Sequence, residues 1–324
     1  MRTLIVGVSL FAATTRVAGA QGYPSLVHAK QQFDARNWDA ARQEYASLAR
    51  ATPSDVTPVL YLGKVALQQN DADESIRQFE RCVAIDEHNA ECHAWLGNAL
   101  GLTARRTSKF KLLFLAKRTK QEFDRSIQLD PTNLDGRFGE LEYYLNAPGF
   151  LGGSIDKARE QAAEIEKHNK WRGALASAAI ADHEKDTKAS EIAYDRAVAA
   201  APDSVAGYNG LVNLYIRAGR WTDAFATLDR IAVHVPTEHN LPLGRARVAV
   251  LSGEQLQRAE EGLTRWIANP PSTASINNKA VARLRLGQIY ERTSRKDLAR
   301  QEYQQALTLN PSQDEARKSL DALK

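Results

Sequence analysis

The strongest constraint in this chain is a spacing. Leu62-Gly63 and Leu96-Gly97 stand 34 residues apart, as do Ala41 and Ser75, and Pro53 and Glu87. A fixed period of this length means that one unit is repeated. Each unit then buries its apolar face against its neighbours rather than in a core of its own. The unit is clearest over 208–236. Tyr208, Leu211, Val212 and Tyr215 share one side of a helix over about 205–218, and Ala224, Leu228 and Ile231 one side of a second over about 221–233. Gly219 marks the turn between them, where a residue without Cβ reaches positive φ without strain. Pro236 has no N–H and ends the second helix.

The last copy carries the same order: Leu286, Gly287, Tyr290, Ala299, Tyr303, Ala306 and Pro311. A leucine, a small residue and an aromatic on the first helix, then alanine on the second and a closing proline, resemble the tetratricopeptide repeat, a helix–turn–helix of 34 residues. The resemblance implies an all-α fold, a right-handed superhelical solenoid of about eight repeats over residues 21–324. Ala224 and Ala299 mark the closest approach of the two helices in their repeats. Val212 replaces the usual small residue, which implies a slightly wider crossing there. Thr57-Pro58 reads as the start of the first helix of repeat two. Ser312 to Glu315 reads as a capping box opening a final helix over about 313–323, a polar cap on the last repeat.

Repeats three and four depart from the period. About ten residues are inserted near 101–115 when the spacing is compared with a regular unit. The stretch 104–120 holds seven basic residues and no acid, with Phe110, Leu113 and Phe114 as an apolar stripe. It reads as an extended second helix with a solvated basic face. It also reads as a docking surface for an acidic partner or an anionic membrane, through Arg105, Arg106, Lys109, Lys111, Lys117, Arg118 and Lys120. Residues 147–154 form a glycine-rich loop in place of a tight turn. It lacks the preceding strand and following Lys-Thr of a phosphate-binding loop, and Ser154 is placed to cap the next helix. The alanine-rich start of repeat five makes 145–185 the expected soft point of the stack.

Residues 1–20 read as a secretory signal: Arg2, an apolar run over Leu4–Ala13, and Ala18-Gly19-Ala20 before a mature start at Gln21. The expected location is therefore export, to a bacterial periplasm or beyond. Loss of this segment removes Arg2 and Arg16 and no acid, so the net charge falls from +4 to +2. That balance makes no demand for nucleic acid.

Chemistry is sparsely marked. Cys82, His88, Cys92 and His93 lie close in sequence but match no common zinc spacing. There is no serine-nucleophile elbow and no dinucleotide fingerprint. The expectation is a non-enzyme without a cofactor; an enzyme or a metal carrier is the remote alternative. Cys82 and Cys92 sit five residues either side of Glu87, at a turn. They form a disulfide in an oxidising compartment, or two small buried residues of a helix interface; both readings stay open.

What remains is surface. The first helices of such repeats line the concave wall. One position in the repeat reads Lys30, Lys64, Asn98, Glu140, Ala179, Asn213, Arg247 and Gln288 down the chain, and Tyr144 ends the first helix of repeat four. Cations and amides in a row suit an extended, acidic peptide or protein partner. The row is similar in chemistry to the clamp of cytosolic chaperone-binding tetratricopeptide domains. Asn209, Asn213 and Arg217 share one helical stripe, and Arg247 follows Asn213 by one repeat. The expected function is non-catalytic protein binding or scaffolding. The alternative is a structural subunit or membrane-surface adaptor that docks through the basic insertion.

Overall fold

In a computed structural model of the chain, residues 25–104 and 109–323 are described, with 109–111 in backbone only. The signal segment, Arg105 and Arg106, and the side chains of Lys109 and Lys111, lie outside the described residues.

The described residues form seventeen α-helices, each packed on the next in chain order. Repeat one is α1 (Leu26–Asp34) with α2 (Trp38–Ala51), and repeat two is α3 (Val56–Gln68) with α4 (Ala72–Ile85). Repeat three is α5 (Ala90–Ala104) with α6 (Lys109–Leu129), and repeat four is α7 (Leu134–Asn146) with α8 (Ile155–His168). Then come α9 (Lys170–Glu184) with α10 (Thr187–Ala200), α11 (Val205–Arg217) with α12 (Trp221–His234), and α13 (Leu241–Ser252) with α14 (Leu256–Ala268). Repeat eight is α15 (Ile276–Arg292) with α16 (Lys296–Leu309), and α17 (Asp314–Ala322) covers its end. The architecture is the helical solenoid that the period implies. No described helix is long and apolar enough to cross a membrane.

Repeats two, three and eight close on an aromatic ring laid against a glycine. A Cβ on Gly287 would stand 2.6 Å from the Tyr303 ring, and one on Gly97 the same distance from Phe123. In repeat six the bulk is redistributed. Val212 occupies the glycine position and Leu228 the ring position, and both are buried in one cluster. Ala224 and Ala299 are fully buried, as their place at the closest approach of two helices requires.

The turns repeat as well. A residue in the left-handed region stands at Arg36 and Asn70, at Lys185, Gly219 and Gly253, and at Ser294. Only two of these are glycine, so the turn is set mainly by the packing of the two helices and less by its own residue.

Repeat three has a longer second helix and repeat four a longer connection. Helix α6 is 21 residues long where α4 has 14, so the insertion does extend the second helix. The loop after α7 contains a short 3-10 turn, Gly149–Leu151. It is held in place: the Tyr143 hydroxyl donates to the Leu151 carbonyl at 2.6 Å, and Ser154 N–H donates to the Tyr144 carbonyl at 3.0 Å. Gly152 has φ 92°, and a Cβ on Gly153 would overlap the Ala147 carbonyl oxygen. Ser154 caps α8, its side chain accepting from Lys157 N–H at 3.4 Å.

Two helix starts differ from expectation. Asp55, not Thr57, caps α3, because its carboxylate accepts from Thr57 N–H at 2.9 Å. The capping box at Ser312 does not form: Gln313 is the cap of α17 and its side chain makes no cap bond. In repeat five the small residues bring α9 against α8, with Gly173 lying on the backbone of Glu166. They also leave an open cleft of about 330 Å³, lined by Ile180 and Ala181 among others, between α8, α9 and α10.

Candidate interaction surfaces

On the wall of first helices most of the expected binding residues already hold partners within the protein. Lys64 lies between the rings of Tyr61 and Trp95, 4.9 and 4.7 Å from their centroids, and meets Glu91 at 2.6 Å. Only 13% of its side chain is exposed, so little of its charge reaches the groove. Lys30 pairs with Asp34 at 2.8 Å, Arg217 with Asp182 at 2.8 Å, and Gln288 donates to Glu315 at 2.8 Å. Asn98 is half-buried and Asn209 exposed. Arg247 is exposed and donates to the Asn213 Oδ1 at 2.7 Å. The expected α11 stripe and its α13 neighbour therefore do come together.

Two groups that the sequence places in different sets form one cluster. Lys120, from the insertion, meets Glu140 at 2.9 Å, and the Tyr144 hydroxyl donates to the same carboxylate at 2.8 Å. Lys120 also pairs with Asp124 and lies 5.2 Å from the Tyr144 ring centroid. Glu140 and Tyr144 are buried, so Tyr144 is a packing residue rather than a groove residue. Burial disfavours the Lys120 cation, but its bonds to Asp124 and Glu140 and the Glu140 charge outweigh this and raise its pKa. Burial, with the Glu140 bond and charge adding and Lys120 opposing, pushes the Tyr144 hydroxyl to about 12. Arg118 is likewise engaged, with Glu80 at 2.7 Å and Glu122 at 3.8 Å. Lys117 is the insertion cation that stands exposed without an acid partner among the described residues.

Cys82 of α4 and Cys92 of α5 are joined as a disulfide across the turn, with Cα atoms 5.6 Å apart. Next to it, His93 is buried with both ring nitrogens facing acceptors: Glu122 at 2.7 Å and the Glu87 carbonyl at 3.0 Å. No group of metal-ligating side chains gathers among the described residues.

The two ends of the solenoid approach each other. Phe33, Arg36 and Trp38 of repeat one face Asn240, Thr273 and Asn278 of repeats seven and eight across a cleft of about 520 Å³. Sequence reasoning misses this seam, since its halves are some 200 residues apart in the chain by the fixed repeat period.

Family profiles described as tetratricopeptide repeat match residues 26–90 and 185–239, and another of the same description matches 280–313. Recognisable tetratricopeptide repeats thus lie near the start, in the middle and near the end of the solenoid, with helical hairpins outside the profiles between them. Repeat three beyond its first residue, repeat four, the first helix of repeat five and both helices of repeat seven fall outside the matched segments. A crystal structure of a tetratricopeptide repeat protein from Parabacteroides merdae is similar, with 12% identity, 92% of this chain and 96% of that chain covered, and a TM-score of 0.47. No curated protein matches the chain.

Proposed function

We propose that this chain is a non-catalytic scaffold that holds an extended, acidic segment of a partner protein against α11 and α13. Tetratricopeptide repeats generally mediate protein–protein interaction, and one observation points to this part of the wall. Lys30, Lys64 and Arg217 already hold carboxylates, whereas the partner of Arg247 is the neutral amide of Asn213. Exchanging that amide for a carboxylate replaces a neutral acceptor with a charge-assisted, bidentate one. The released Asn213, with exposed Asn209 one turn away, can then bond peptide backbone in both directions. Arg247 is thus the wall cation with most to gain from an acidic ligand.

The scaffold acts after export, in the periplasm or outside the cell. The signal-like segment supports this, and so does a disulfide, which persists in oxidising compartments. Intact mass of the exported product should show a start at Gln21; retention of Met1 would overturn the location. Affinity capture from an envelope fraction tests the binding surface, with Asn213→Ala/Arg247→Ala protein as the second bait. Loss of a partner from the second bait is expected. Equal capture by both baits would remove α11 and α13 from the binding surface.

A further inference from the structure

We propose that the turn edge of repeats three and four docks on an anionic lipid surface. This does not rest on the peptide-binding wall, which lies on α11 and α13. Four observations carry it.

First, large apolar side chains from three elements are exposed at this edge. Phe150 in the loop is 80% exposed and Phe114 of α6 69%, with Leu113 beside it and Leu102 at the end of α5. Second, the topology brings them together. The end of α5, the start of α6, the end of α7 and the start of α8 all lie at the turns of two adjacent hairpins. The 3-10 turn packs on α6, and Leu151 and Ala116 belong to one core cluster. Phe150 and Phe114 are each within two residues of that contact.

Third, the exposure is built into the backbone. The Tyr143–Leu151 bond, the left-handed Gly152 and the absence of room for a Cβ on Gly153 fix the loop that presents Phe150. The tight turns elsewhere in the chain also use a left-handed residue, but the Tyr143 bond and the crowding at Gly153 belong to this loop. Fourth, the edge is cationic. Leu113, Phe114 and Lys117 are adjacent on the surface of α6, at i, i+1 and i+4. Lys157 at the start of α8 is exposed, 5.6 Å from the Tyr144 ring centroid, with no acid partner among the described residues. The sequence of the insertion contributes cations and no acid.

Apolar side chains standing out from a convex turn, rather than lining a groove, match an interface that yields to insertion. Cations beside them match phosphate headgroups, whose surface potential attracts each lysine. Phenylalanines that stand out at a turn, with lysines beside them and no groove around them, therefore favour a lipid surface over an acidic protein.

Co-sedimentation of the full chain with vesicles tests this, using phosphatidylcholine alone and phosphatidylcholine mixed with phosphatidylglycerol. Binding to the mixed vesicles alone, weakened by salt, is expected. Phe114→Ser with Phe150→Ser should lower the partition coefficient about tenfold or more, since two exposed rings lose their burial. Lys117→Glu with Lys157→Glu should lower it comparably on mixed vesicles. All four side chains are exposed, so unchanged helicity is the control for folding. Equal binding to both vesicle types, or no change in either variant, would overturn the proposal. Binding to polyglutamate without binding to vesicles would assign the edge to an acidic protein instead and overturn it equally.

Discussion

Repeats one, two, five, six and eight turn tightly on a single left-handed residue; repeat three has an extended second helix and repeat four a longer, glycine-rich connection. In the first group, helix pairs meet tightly and wall charges are matched by acids one repeat away, such as Arg217 with Asp182. In repeats three and four a half-buried lysine joins a buried glutamate and tyrosine, and two phenylalanine rings, Phe114 and Phe150, face solvent. Regular repeats are explained by the stack itself. The two irregular repeats carry features that the stack does not need, and such departures are where a repeat protein carries its particular business.

Stability measurements can break this contrast. Glu140→Ala should cost about 3 kcal/mol in urea melts, because it strands the Lys120 cation in a partly buried site. Removal of Glu166, whose pair with Arg196 is exposed, should cost about 1 kcal/mol or less. Equal losses would mean that the two regions are held together in the same way. Cys82→Ser with Cys92→Ser should cost about 2–3 kcal/mol, as the loop closed by the bridge is short. Free-thiol titration of denatured, unreduced protein should find no thiols; two would remove the bridge. Ala224→Leu, Ala299→Leu and Gly153→Ala should each cost about 1–3 kcal/mol through overpacking. Gly219→Ala should cost about 1 kcal/mol, since four sister turns already use residues other than glycine.

A pH series sharpens the contrast at the junction of repeats two and three. Burial opposes the His93 cation, but the bonds to Glu122 and the Glu87 carbonyl, with the Glu122 charge, outweigh burial and the nearby Arg125, and raise its pKa. A group raised in the folded state stabilises fully below its unfolded pKa, about 6.5 for histidine, and that stabilisation is lost as pH rises through the folded value. The wild type should therefore lose stability across that window relative to His93→Gln. Parallel curves for the two proteins would show that His93 folds as the neutral ring.

Much of the fold was legible because it rests on spacing. Leu-Gly pairs, ring positions and closing prolines gave the number of hairpins and the final cap helix. The turns were less legible, since Arg36, Asn70, Lys185 and Ser294 adopt the left-handed conformation without being glycine. Helix starts slipped by a residue or two because several polar residues compete for one cap, as at Asp55 and Thr57. The surfaces were legible only as rows of residue types. Whether a cation is available depends on partners 20 to 35 residues away, as with Lys120 and Glu140, or Arg217 and Asp182. The insertion shifts that register, so the buried triad could not be read from the period. Phe150 stood in a glycine-rich loop in place of a tight turn, and only the held backbone shows how the ring is presented.

The claim that the wall binds through α11 and α13 is tested most directly by titration calorimetry. The captured partner would be titrated into wild type and into Asn213→Ala/Arg247→Ala protein, with circular dichroism as the folding control. Neither side chain is in the core, so stability should change by about 0.5 kcal/mol or less. Affinity should fall by about 2–4 kcal/mol, the loss of two buried hydrogen-bonded contacts, one of them charged. Unchanged affinity with intact helicity would contradict the claim.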